Sequence, residues 1–172
     1  MTPPLDTAPT HPDNDATELD SIDTFVNVHI DLVVDFLMDM RNVRDFAFGK
    51  EEDVHFDFQG KSKMRVYNPL LKSVTQCENR LIRREDLALV EHRSFLVQQE
   101  IGWEVFLLVK AWGEQRSHIL FGWYNTPGIK KFMCEMHGWE SFDPLFVREQ
   151  VARKELSIIK ALLEAKPYPQ QA

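Results

Sequence analysis

The sequence predicts an α+β domain in which seven antiparallel strands pack against one long C-terminal helix. Six stretches between Val54 and Tyr124 have the alternating pattern of strands and are joined by short turns. A similar stretch at residues 22–30 precedes them. Residues 143–166 repeat apolar side chains at helical spacing, over a length of about 35 Å. Because parallel pairs need long crossovers, the short connections predict an antiparallel sheet.

Two short helices are predicted directly after the first strand. Asp31 is predicted to cap the first of them, over about 31–39, because apolar residues follow it at helical spacing. The second is predicted over 42–48 and is expected to end at Gly49. Little chain is left between the first strand and these helices.

The last third of the chain begins with an irregular segment. Gly and Pro interrupt residues 127–140, so at most one helical turn is predicted there, near 130–135. Asp143 and Pro144 then have the residue types of a helix start. One apolar stripe follows on the C-terminal helix: Leu145, Ala152, Leu156, Ile159 and Leu163.

The composition indicates one globular domain with polar ends. The chain has 172 residues, of which 44% are hydrophobic and 11% aromatic. Residues 1–21 are acidic and rich in Pro, as is typical of a disordered tail. The domain is therefore predicted over 22–166, with a C-terminal tail over 167–172.

The charge distribution argues against a nucleic-acid partner. The net charge is −7, and six acidic residues within 1–23 account for nearly all of it. The remaining chain is close to neutral, so no basic face for nucleic acid is expected.

The sequence also indicates a cellular location, through the features that it lacks and through its cysteine content. It has no signal-peptide pattern and no apolar run long enough to span a membrane. Its two cysteines fit a reducing compartment, so we expect a cytoplasmic protein. A homodimer is left open.

Local motifs predict neither a cofactor nor a metal site. The "QGKSK" at 59–63 lacks the first glycine of a phosphate-binding loop, because His55 stands in its place. Cys134 and His137 are suitably spaced for zinc, but no second pair at comparable spacing completes four ligands. The usual serine-hydrolase, metalloprotease and dinucleotide motifs do not occur, so no catalytic residue is predicted from a motif.

The order of elements carries a resemblance to a known superfamily. The opening "VNVHIDLVVDFLMDMRNVRDF", the six strands and the closing amphipathic helix resemble the START/Bet v 1-like (SRPBCC) superfamily over about 22–166. That superfamily includes polyketide cyclases and lipid-transfer proteins. The resemblance implies a helix-grip fold, in which a curved sheet wraps around the C-terminal helix. It also implies a ligand cavity between the sheet and the helix.

Side-chain alternation selects the residues expected to face that cavity. On strand 103–112 one set of alternating residues is apolar throughout, whereas the other contains Glu104 and Lys110. The apolar set is expected to face the helix, and His92 is the expected polar anchor. The predicted ligand-binding residues are Trp103, Val105, Leu107, His92, Ala152, Leu156, Ile159 and Leu163.

Three functions fit these expectations. The first is non-catalytic binding of a hydrophobic small molecule, such as a lipid or a polyketide-like compound. The second is a cyclase or dehydratase that uses His92, His118, Glu91 or Tyr124 as acid or base in the same cavity. The third is a co-chaperone-like adaptor that binds another protein.

Overall fold

The computed structural model describes residues 17–48, 53–69 and 72–165, and these form one seven-stranded sheet with helices on its concave side. Every neighbouring pair of strands is antiparallel, in the order β1-β7-β6-β5-β4-β3-β2. The strands are β1 Glu18–Val26, β2 His55–Phe58, β3 Lys63–Asn68, β4 Ser73–Arg84, β5 Leu87–Leu96, β6 Ile101–Ala111 and β7 Ser117–Asn125. The predicted fold class is confirmed.

The helices lie before β2 and after β7. Helix α1 is Ile30–Met38, and α2 is Met40–Val43, continued by a π-helical turn at Arg44–Phe48. Helix α3 is Pro127–His137. The C-terminal helix consists of α4 Pro144–Phe146, a π-helical segment Val147–Ala152 and α5 Arg153–Ala165. Among the described residues, no helix is both long enough and apolar enough to cross a membrane.

The first strand starts earlier than the sequence predicted. It begins at Glu18, so residues 18–21, assigned to the tail, belong to the sheet and pair with β7. Two ion pairs stabilise this end of the strand. Oε1 of Glu18 lies 3.3 Å from Nζ of Lys130, and Oδ1 of Asp20 lies 2.9 Å from Nη1 of Arg148. The acidic composition of this segment suggested a tail. Composition alone does not show that Glu18 and Asp20 form ion pairs in the folded protein. Residues 1–16 and 166–172 lie outside the described residues.

The strand-to-helix junction is capped by a different residue from the one predicted. The imidazole Nδ1 of His29 accepts a hydrogen bond of 3.1 Å from the backbone N–H of Asp31. His29 is therefore the N-cap, and Asp31 lies in the first turn of α1. Asp39 caps α2 by accepting from the N–H of Arg41. The predicted stop at Gly49 lies outside the described residues.

The segment expected to be irregular contains a full helix, α3. The hydroxyl of Thr126 accepts from the N–H of Ile129 at 3.2 Å, and Pro127 occupies the first turn. Gly138 ends the helix with a φ of 68°, the left-handed conformation that glycine adopts most easily. The amphipathic helix between these caps packs against β6.

The C-terminal helix divides the space under the sheet. Leu156, Ile159 and Leu163 are buried in the main core, and α5 contacts β1 and the π-helical turn after α2. The helix residues before Leu156 face a region that side chains do not fill. Packed core therefore lies beneath the last turns of this helix, and a cavity lies beneath its earlier residues.

Candidate functional site

A cavity of about 370 Å³ lies between the concave face of the sheet and the helices. Its walls are mainly aliphatic and aromatic, as in most small-molecule sites. The described residues that line it are Leu37, Phe46, Ala47, Phe48, Val54, Val66, Asn68, Ser73, Thr75, His92, Ser94, Leu96, Ile101, Trp103, Val105, Leu107, Phe121, Ile129, Phe132, Met133, Met136, Val151, Ala152 and Glu155.

Both π-helical segments contribute to the cavity wall. Phe46 and Phe48 come from the first, and Val151 and Ala152 come from the second. A π-helical turn inserts an extra residue into the helical path and is frequent at functional sites. Here the two segments place side chains on the cavity from opposite ends of the domain sequence.

The structure places five of the eight predicted site residues on the cavity wall. These are Trp103, Val105, Leu107, His92 and Ala152. The remaining three, Leu156, Ile159 and Leu163, are buried in the core and are not part of the wall. The helical stripe is longer than the cavity, so its later residues pack against protein instead. That any of these residues contacts a ligand stays a prediction.

His92 is held through both of its ring nitrogens. Its Nδ1 lies 2.7 Å from Oδ1 of Asn79, and its Nε2 lies 2.9 Å from Oγ of Ser94. Ser94 Oγ is also 3.5 Å from Sγ of Cys77. The strand register explains this arrangement, because Asn79 pairs with His92 and Cys77 pairs with Ser94 across β4 and β5.

The hydrogen bonds of Asn79 determine which atom donates and which accepts in each hydrogen bond of this cluster. The amide Nδ2 of Asn79 donates to the backbone carbonyls of Leu37, at 3.0 Å, and Met38, at 3.3 Å. Its Oδ1 is therefore the acceptor, and Nδ1 of neutral His92 carries the proton. Nε2 then accepts from the hydroxyl of Ser94, whose oxygen accepts from the thiol of Cys77.

Burial keeps this cluster uncharged. It lowers the pKa of His92 to about 4, because an imidazolium in this position would lose its hydration. Burial also raises the pKa of the Cys77 thiol to about 11, despite a hydrogen bond to Ser94 that acts in the opposite direction. Near neutral pH, the imidazole is therefore a free base and the thiol is protonated and unreactive.

Glu155 is a carboxyl group on the helical wall of the same cavity. Burial among apolar side chains raises its pKa to about 8. No hydrogen bond or ion pair joins its side chain to another described residue. The group is consequently a carboxylic acid at neutral pH, able to donate a hydrogen bond into the cavity.

Sequence reasoning missed most residues of the cavity wall, and two sets of them bear on the function. The first set lies on α3 and comprises Ile129, Phe132, Met133 and Met136. The capping residues Thr126 and Gly138 were the available signal for that helix. The second set is polar and comprises Ser94 and Glu155, with Asn79 bonded to His92 behind the wall. Glu155 follows Ala152 by three residues, and this spacing places it beside the apolar stripe.

Three residues considered for catalysis lie elsewhere. Glu91, His118 and Tyr124 do not line the cavity. His118 Nε2 lies 2.7 Å from Oδ2 of Asp23 and packs near the ring of Phe25. His92 is the one member of the predicted acid–base set that faces the cavity.

Comparison with known proteins supports the fold. No model of a protein family matches the sequence, and no curated protein matches it either. The structure is similar to the Zhui aromatase/cyclase from a Streptomyces species, with a TM-score of 0.56 and 14% identity over 87% of this chain and 94% of that one. It is also similar to norcoclaurine synthase from Thalictrum flavum, solved with dopamine and hydroxybenzaldehyde, with a TM-score of 0.51 and 14% identity over 89% and 90% of the two chains.

A third similar structure is a hypothetical protein from Helicobacter pylori. The TM-score is 0.52 and the identity is 13%, over 87% of this chain and 89% of that one. At identities this low, the structural similarity shows a shared fold.

Proposed function

Since the chain has the helix-grip fold of the START/Bet v 1-like superfamily, we propose that it binds a hydrophobic small molecule, such as a lipid or polyketide-like compound, between the sheet and the C-terminal helix. The cavity of about 370 Å³ carries this proposal. Ligand pockets commonly measure about 300–1,000 Å³ and combine apolar walls with a few polar groups.

The polar groups indicate how such a ligand is oriented. Both ring nitrogens of His92 are already bonded, so the hydroxyl oxygen of Ser94 is the polar atom that the cluster offers to a ligand. The carboxylic acid of Glu155 offers a donor from the helical wall. A ligand with an apolar body and one or two hydroxyl or carbonyl groups satisfies both.

A cavity-filling variant tests this proposal with the dye N-phenyl-1-naphthylamine, which fluoresces in apolar surroundings. The wild type should enhance the dye's fluorescence in a saturable way. Val105→Trp should weaken dye binding at least tenfold, because the larger ring occupies the cavity. Leu108→Trp on the opposite face of the same strand is the control and should keep wild-type affinity.

Substitution of Leu156 is not a suitable test, because that side chain lies in packed core. Absence of saturable dye binding by the folded wild type would contradict the proposal. Equal affinity in Val105→Trp and wild type would move the binding site elsewhere.

A cyclase or dehydratase is the second candidate, because a base and an acid line one cavity. Neutral His92 can take a proton through Ser94, and protonated Glu155 can give one. The similarity to an aromatase/cyclase supports this reading. Dehydration of an apolar aromatic β-hydroxyketone, followed by the absorbance of the product enone, tests it. Glu155→Gln should abolish turnover while the dye still binds.

A further inference from the structure

We propose that Ser94 is a nucleophile that accepts an acyl group from an activated ester bound in the cavity, with His92 as its base and Asn79 as a positioning residue. This proposal rests on the proposed function in one respect, since the cavity must admit an apolar ligand. It adds a covalent step and a substrate class: esters of apolar acids with good leaving groups.

The contacts of the three residues match the requirements of nucleophilic catalysis. The hydroxyl of Ser94 donates to Nε2 of His92 at 2.9 Å, and Nδ1–H of His92 donates to Asn79 at 2.7 Å. A nucleophile bonded to a base, and a base oriented by a third group, is the pattern that activates serine in enzymes. Asn79 is itself fixed by its bonds to the end of α1.

The proposed nucleophile, Ser94, is the part of this cluster that a ligand in the cavity can reach. Ser94 and His92 both line the wall, whereas Asn79 lies behind them. Since Ser94 and His92 are two residues apart on β5, their side chains leave the same face of the sheet. Because both ring nitrogens of His92 are already bonded, a carbonyl carbon in the cavity is placed to react with the hydroxyl oxygen of Ser94.

Two residues that line the same cavity carry hydrogen-bond donors that we assign to the acyl oxygen. Trp103 pairs directly with Ser94 across β5 and β6, so the two side chains project from one face. Its buried indole N–H has no hydrogen-bond partner in the described structure. The carboxylic acid of Glu155 is a second donor. Negative charge developing on an acyl oxygen needs such donors.

The reaction balances with water as the only co-reactant. Ser94 Oγ forms a bond to the acyl carbon, and the hydroxyl proton moves to Nε2 of His92. The bond to the leaving group then breaks, and the leaving oxygen or sulfur keeps the electron pair and takes that proton. Water attacks the acyl-serine with His92 again holding the proton, and the proton returns to Ser94 Oγ as the carboxylic acid departs.

The environment of His92 limits the substrates to activated esters. Asn79 contributes no negative charge to stabilise an imidazolium, and burial disfavours that ion. A weak base suffices when the leaving group is much less basic than the alkoxide of Ser94, because the tetrahedral intermediate then expels the leaving group in preference to the serine. Phenols, with a pKa of about 10, and thiols, with about 8.5, meet this condition. The apolar walls select the acyl group.

Acylation with p-nitrophenyl hexanoate tests the proposal. Wild-type protein should release a rapid burst of about one p-nitrophenolate per chain. Intact mass should show one added hexanoyl group, and peptide mapping should place it on Ser94. Ser94→Ala should lose the burst, whereas Ser157→Ala, on the exposed face of α5 and away from the cavity, should keep it.

Two further variants separate chemistry from folding. Ser94→Cys keeps a nucleophile at this position and should restore acylation. His92→Gln should slow acylation at least 100-fold, within the usual range for loss of a general base. Each variant is first shown to melt cooperatively and to bind N-phenyl-1-naphthylamine.

The outcomes distinguish this proposal from the proposed function. Dye binding without a burst, or a burst that persists in Ser94→Ala, would contradict the assignment of Ser94 as the nucleophile. The proposal that the cavity binds an apolar ligand would still stand. Failure of both dye binding and acylation removes the proposed function as well. A burst that requires Ser94 and His92 supports the covalent step.

Discussion

His92 and Glu155 are the ionisable side chains among the described residues of the cavity wall, and burial keeps both uncharged. They lie on different walls, one on the sheet and one on the helix. Their pKa values are shifted in opposite directions, towards 4 for the base and 8 for the acid. Separated pKa values of this kind are how proteins prepare an acid and a base at one pH.

The raised pKa of Glu155 predicts a loss of stability with rising pH. Between its ordinary value of 4.5 and about 8, the folded protein holds a proton that the unfolded chain has released. The free energy of unfolding should therefore fall across this range, by up to about 5 kcal/mol from this residue. Glu155→Gln should remove that contribution, so its advantage over wild type should grow from pH 5 to pH 8.

Urea unfolding at each pH measures this effect. Glu135→Gln on the exposed face of α3 is the control for loss of a carboxylate and should retain the wild-type slope. A constant difference between Glu155→Gln and wild type over pH 5–8 would show that the carboxyl group is hydrated in the folded protein.

At the scale of secondary-structure elements, α3 shows how two capping residues position part of the site. Thr126 and Gly138 fix its two ends, and the residues between them bring four apolar side chains to the cavity. The helix is only 11 residues long, so its caps and its packing are its main sources of stability.

The two glycines of α3 provide a matched pair of substitutions. Gly138→Ala forces a side chain into the left-handed conformation and should cost about 1–2 kcal/mol. Gly128→Ala lies inside the helix, where an added Cβ meets only the Thr126 hydroxyl at 4.0 Å, and should stabilise by about 0.4–1 kcal/mol. Thermal unfolding should show Tm values shifted in opposite directions. Equal shifts of the same sign would contradict the capping role of Gly138.

At the scale of the whole molecule, β1 is an edge strand of the sheet. It pairs with β7 and contacts α5. Its first residues carry the ion pairs of Glu18 with Lys130 and of Asp20 with Arg148. These pairs connect the sheet edge to α3 and to the C-terminal helix. The folded domain therefore includes residues 18–21, which pair with β7.

Two truncations test whether residues 18–21 belong to the folded domain. Deletion of residues 1–16 should leave Tm unchanged, because that acidic segment has too few apolar side chains to offset the entropy of ordering. Deletion of residues 1–20 should lower Tm by several degrees, because it also removes the start of β1. If the shorter deletion lowers Tm as much as the longer one, residues 1–16 contribute to the folded domain.

The sequence by itself determined the antiparallel sheet, the inward face of β6 and the order of elements except for α3. Alternation on Trp103, Val105 and Leu107 is a local property, since neighbouring side chains of a strand must take opposite faces. Tertiary structure alone decided where the cavity ends on the helix, and therefore that Leu156 is core while Glu155 faces open space. It also brought Asn79, His92 and Ser94 together, because strand register depends on pairing between segments that no local pattern specifies.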